Sequence, residues 1–175
     1  MRQYIHYGKT ISEFDKSLVG PIKNIDHWTK PDGGFWASSV DAEYGWKEWC
    51  YDNDFCRPCD DTNSFKFILT DTAKILHIYS IDDINGLPVK SISKGWFTDT
   101  MNLDFEKLCE EYDAIELHLS GNHFNELYYA LYGWDCDSIL IMNPDIIVPI
   151  GDNLINSKQM SVGETITIML DLLNR

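Results

Sequence analysis

The chain has 175 residues, 44% of them hydrophobic and 13% aromatic, which is enough apolar material to bury one continuous core and too much for a disordered polymer. Its formal net charge of -14 repels phosphate backbones, so direct binding to DNA is not expected, and no run of about 18 apolar residues offers a membrane span. No repeat, low-complexity stretch or Pro/Ser-rich linker divides the chain, so a single domain over 1–175 is expected.

Tyr4–Tyr7 reads as a first strand, with His6 near its end and Gly8 directly after it. Residues 10–32 carry the breakers Gly20-Pro21, Lys30-Pro31 and Asp32-Gly33 and read as irregular, with room for one helical turn. Phe35–Ser38 follows as a short strand, and 41–50 as a helix capped by Ser39 or Asp41. Ser64–Leu69 alternates polar and apolar residues, 70–72 is a turn, and 73–79 is another strand. A helical start at 80–83 ends at Gly86-Leu87-Pro88; 103–112 has helical spacing; 114–119 is a strand with Glu116 and His118 on its polar face. A helix is expected over 122–132, a buried strand over 137–142, an extended segment over 146–150, and a closing strand or helix over 163–173. The sum is an α+β fold.

Five cysteines, an odd number, follow an N-terminus without a signal-peptide-like apolar stretch, so reduced thiols in a cytoplasmic setting are expected. Cys56 and Cys59 form a CxxC with Cys50 six residues upstream of it. No second CxxC or nearby histidine completes a zinc set, and no metal ligand is assigned. P-loop, GxSxG and HExxH motifs are all missing, and nothing local marks Cys136 with His118 or His123 as a thiol–imidazole pair.

The chemistry-bearing blocks are Tyr4-Ile5-His6-Tyr7-Gly8 and Gly33-Gly34-Phe35-Trp36-Ala37-Ser38. An imidazole on a strand, facing an aromatic wall, suits a ribose and a flat ring, although a packed core histidine is the plain alternative. Phe35 and Trp36 must point to opposite faces of a regular strand, so only one of them lines a cleft.

In the order of its blocks the chain resembles the ADP-ribosyltransferase fold, in its diphtheria-toxin-like branch. YIHYG resembles that branch's His-Gly strand, and GGFWASS leading to Asp41-Ala42-Glu43-Tyr44 resembles its Gly-aromatic-aromatic-Ala strand and following helix. Residues 65–88 resemble its middle hairpin, and 112–117 with 137–150 its closing strands with their Asn-Pro step. The resemblance implies two small sheets forming a cleft, with helices between them, and NAD as the substrate held there.

The resemblance also implies the roles. His6 binds a ribose hydroxyl, Phe35 stacks the nicotinamide in place of the branch's usual tyrosine, and Tyr7, Gly8, Trp36, Ala37, Ser38 and Tyr44 complete the dinucleotide site. A late-strand carboxylate stabilises the developing ribosyl cation. The branch has a glutamate there; here the alignment places Ser138, with Asp137 beside it. Either Asp137 substitutes, or Glu116 on the neighbouring strand does, or the site does not turn over; Asp137 is the preferred choice. The acceptor, a protein side chain, a nucleic-acid base or water, is not legible, and a compact chain of this kind suits a bacterial or phage effector. The alternative from another class is a non-catalytic acidic protein that docks on a basic partner or sequesters a nucleotide.

Overall fold

Alternation along short strands, each with one apolar face or two, decides the architecture. The computed structural model describes residues 1–55, 59–95, 101–119 and 126–150. The strands are β1 (Tyr4–Tyr7), β2 (Phe35–Ser39), β3 (Ser64–Leu69), β4 (Ile75–Ile78), β5 (Val89–Ser91), β6 (Met101–Leu103), β7 (Ala114–Leu117), β8 (Ser138–Ile141) and β9 (Ile147–Pro149). Among the described residues three short α-helices accompany them: α1 (Trp46–Asp52), α2 (Phe105–Leu108) and α3 (Glu126–Ala130). The class is mixed α and β, as expected in its coarse form. Seven strands form one sheet in the order β4-β7-β8-β2-β1-β3-β9, and β5 with β6 makes a separate two-stranded ribbon.

Apolar side chains pack on both faces of the large sheet over β7 and β8, whereas Lys66 on β3 and Val148 on β9 stay exposed at its other end. Tyr4, Phe35, Ala37, Phe67, Ala114, Ile139 and Ile141 build a core on one side. The intervening residues Ile115, Leu117 and Leu140 join Phe105, Leu108, Leu127 and Trp134 on the other. This period-two partition is what a pleated strand imposes. It explains why β8 reads as an uninterrupted apolar run: its residues Ile139, Leu140 and Ile141 are all fully buried.

Several local expectations are corrected. The 65–79 region is not a hairpin: β3 pairs with β1 and β9, whereas β4 pairs in parallel with β7 at the far edge of the sheet. The first helix starts at Trp46 rather than Asp41. Its first amide donates to Ser38 Oγ at 2.9 Å, and Glu48 accepts from the Gly45 amide, while Ser39 and Asp41 bond to each other and to Arg2 instead of capping. Leu103 belongs to β6, and α2 begins after it with the Asp104 carboxylate accepting from the Lys107 amide. Residues 10–32 hold 3-10 turns at Ile11–Glu13 and Lys16–Leu18. Gly33 and Gly34 are obligatory at the entry to β2. Both have positive φ, and a Cβ at Gly33 would stand 2.1 Å from the Pro21 carbonyl oxygen. Cys56, His123 and the expected element over 163–173 lie outside the described residues. Among the described residues, no helix is long and apolar enough to cross a membrane.

Candidate functional site

β1 and β2 pair only through Tyr4 with Ser39 and Ile5 with Ser38. At the next position the His6 imidazole reaches across, its Nδ1 2.7 Å from the Trp36 carbonyl oxygen. A carbonyl can only accept, so Nδ1 carries the proton and Nε2 is left as the ring's acceptor. Burial pushes the His6 pKa below the ordinary histidine value, with the Trp36 bond opposing the shift and Lys9 adding to it. The ring is therefore neutral at physiological pH, the form that accepts a hydroxyl proton. Gly8 follows at φ 111°, and a Cβ there would stand 3.9 Å from His6 Nε2.

Where the two strands part, a cavity of about 430 Å³ opens, within the range of small-molecule sites. His6, Tyr7 and Gly8 line one side, and Trp36, Ala37 and Ser38 another. Thus six residues assigned to a nucleotide from the two sequence blocks share one space. Its third wall comes from the segment leading into β8, which contributes Trp134, Asp135, Cys136 and Ser138.

The aromatic wall is Trp36, not Phe35. Phe35 is turned into the core, with its ring centroid 4.3 Å from His6 and 4.9 Å from Phe14, and it packs on Phe65 and Phe67. The two residues alternate across the pleat, and the apolar layer of Phe14, Phe65 and Phe67 on one face takes the benzyl ring. Trp36 instead meets the edge of Trp134, centroids 4.7 Å apart, and carries Lys30 Nζ 4.1 Å above its ring. Lys30 also lines the cavity; burial lowers its pKa, and Asp135 and Cys136 pull in the opposite direction. Among the described lining residues Lys30 is the one cation and Asp135 the one carboxylate. The Trp134 indole nitrogen is buried without a hydrogen-bond partner among the described residues, a cost that a ligand acceptor would relieve.

The other assigned residues lie elsewhere. Asp137 is buried and held at three points: its carboxylate accepts from the Leu119 amide at 2.6 Å, its carbonyl from Ser38 Oγ at 3.0 Å, and its amide donates to the Tyr44 carbonyl. Asp137 and Ser138 are consecutive, so their side chains diverge, and Ser138 is the one on the cavity. Tyr44 is absent from the lining and serves through its backbone. Glu116 is also absent from the lining; its carboxylate takes the Tyr4 hydroxyl at 3.1 Å and Arg2 at 3.0 Å. Burial raises its pKa, against the lowering effects of Arg2, Tyr4 and His77. Cys136 faces the cavity, but burial pushes its thiol up to about 12, which leaves no thiolate for nucleophilic work.

Sequence reading missed Lys30, Trp134 and Asp135. Only Asp135 carried a local signal, as an acid two residues before the segment 137–150 to which the resemblance pointed. Comparison with protein-family models, with curated proteins and with solved structures finds no match for this chain.

Proposed function

We propose that the cavity between β1 and β2 binds NAD⁺ or a related ADP-ribose-type nucleotide and that the protein acts on its ADP-ribosyl group. The observation that carries this reading is the convergence of residues 6–8 and 36–38 on one cavity that, among its described lining residues, holds one cation and one carboxylate. His6 Nε2 accepts a ribose hydroxyl. Trp36 supplies a flat apolar wall, Lys30 offers its ammonium to a phosphate, and Trp134 donates its indole N–H to a ligand acceptor.

Asp135, rather than Asp137 or Glu116, is the carboxylate for the chemistry. When the bond from ribose C1′ to nicotinamide breaks, the electron pair leaves with neutral nicotinamide and positive charge develops on the ribose. A fixed carboxylate in a partly dry cavity stabilises that charge. The acceptor nucleophile then bonds to C1′ and gives up its proton, for which Asp135 is the base on hand.

Ser138, at the place of the resembling branch's glutamate, favours a second reading: a nucleotide-binding protein without turnover. One experiment separates the two. Purified protein with NAD⁺ should release nicotinamide, measured chromatographically, and His6→Ala and Asp135→Asn should each lower the rate by about 10²-fold or more. NAD⁺ bound and recovered intact supports the second reading. Failure of NAD⁺ and ADP-ribose to bind at millimolar concentration overturns both.

A further inference from the structure

We infer that His77, Glu116 and His118 form a zinc-type metal site at the edge of the large sheet, separate from the β1/β2 cavity and sharing no residue with it. The topology brings the three donors together. β4 and β7 are parallel and in register, with His77 directly opposite Glu116. His118 stands two residues beyond Glu116 and so on the same face, and its amide extends the ladder by donating to the Ile78 carbonyl at 2.9 Å. A residue pair across parallel strands thus converges with His118, one residue past the end of β7, where the ladder bond to Ile78 keeps the backbone extended.

The donor separations discriminate between geometries. His77 Nδ1 lies 3.2 Å from Glu116 Oε2 and 3.4 Å from His118 Nε2, and His118 Nε2 lies 3.8 Å from Glu116 Oε2. Metal–donor bonds of about 2.0–2.1 Å place the corners of a tetrahedron roughly 3.3–3.4 Å apart. Neighbouring corners of an octahedron with the same bonds stand only about 2.8–3.0 Å apart. The triangle matches a tetrahedral face after shifts of a few tenths of an ångström. Two imidazoles and one carboxylate suit Zn²⁺ and its transition-metal neighbours, whereas Mg²⁺ and Ca²⁺ prefer oxygen throughout. Three protein ligands leave a fourth position for water. That position is reachable, since the His77 side chain is 41% exposed.

The surroundings orient the donors. Tyr79 stacks on His118, ring centroids 4.2 Å apart and planes within 6°, and fixes the imidazole plane. Arg2 binds the other Glu116 oxygen, Oε1, at 3.0 Å, and the Tyr4 hydroxyl donates to Oε2 at 3.1 Å. These contacts hold a 2%-exposed carboxylate with Oε2 toward the imidazoles, the outer-shell arrangement that metal sites use. Arg2 opposes a dication, and the chain's net charge of -14 outweighs it at long range.

The test is a titration of chelator-stripped full-length protein with Zn²⁺ against a chromophoric chelator, with Co²⁺ as the spectroscopic probe. One equivalent of Zn²⁺ should bind, and Co²⁺ should give visible bands of a tetrahedral nitrogen–oxygen site without near-ultraviolet thiolate bands. His77→Ala, at an exposed position where folding is not at risk, should weaken binding at least about tenfold, and His118→Ala should do the same. His27→Ala should change nothing. Absence of stoichiometric Zn²⁺ binding, binding undiminished in His77→Ala, or a thiolate-dominated Co²⁺ spectrum pointing to the cysteines would each overturn the assignment.

Discussion

Ser38 joins three parts of the fold through one oxygen, and removing that oxygen tests the account of how the cavity is framed. Its Oγ accepts from the Trp46 amide at 2.9 Å, capping α1, and donates to the Asp137 carbonyl at 3.0 Å, tying β2 to the entry of β8. The residue is 2% exposed, and its bond to the Asp137 carbonyl is buried. Ser38→Ala deletes both bonds with little change in volume. A lost cap costs about 1 kcal/mol. A buried carbonyl deprived of its donor costs about 1–2 kcal/mol more. The expected loss is therefore about 2–3 kcal/mol, or roughly 5–8 °C in Tm for a domain of this size. Urea and thermal unfolding followed by near-ultraviolet circular dichroism measure it, with exposed Ser12→Ala as a control expected within about 0.5 kcal/mol of the wild type. A Ser38→Ala protein as stable as that control would refute the bridging role and, with it, the reason α1 starts at Trp46.

Two further outcomes follow from the buried titratable groups. Burial lowers the His6 pKa and, reinforced by Arg2 and His77, lowers that of His118 to about 4. Unfolded histidines take up protons near pH 6.5, before the folded ones do, so the stability these residues contribute is complete above pH 6.5 and is lost as pH falls from there toward the folded values. The raised Glu116 pKa has the opposite sign, beginning from its unfolded value near 4.5. In metal-free buffer, the urea midpoint of His6→Phe should therefore fall less than that of the wild type between pH 7 and pH 5; equal falls would contradict a depressed His6. Cys136, 3% exposed and with its thiol pushed up to about 12, should resist maleimide at pH 8 until denaturant is added, as read by peptide mass spectrometry. Labelling of Cys136 in the folded protein at the rate seen in urea would contradict its burial.

The local elements were largely legible because they depend on local periodicity. Alternation marked β3, the apolar run marked β8, and Gly33-Gly34 marked the entry to β2. The choice between Phe35 and Trp36 was legible only as a choice: the pleat sends consecutive residues to opposite faces, but which face is core depends on Phe65 and Phe67 arriving from β3 and Phe14 from the end of a 3-10 turn. Asp137 and Asp135 differ by two positions in sequence. One is consumed by the Leu119 amide and the other lines the cavity, an outcome set by hydrogen-bond partners far along the chain.

The chain's own pattern thus determined which stretches extend, where they turn, and that they pack as mixed α and β, since these follow from side-chain period and backbone restriction over a few residues. Tertiary structure alone decided that β4 leaves β3 for the far edge, that His77 therefore meets Glu116, and that Lys30, Trp134 and Asp135 close the cavity around His6. Strand order is a non-local quantity: it reflects which apolar faces find one another across the whole sheet, and no window of sequence contains that information.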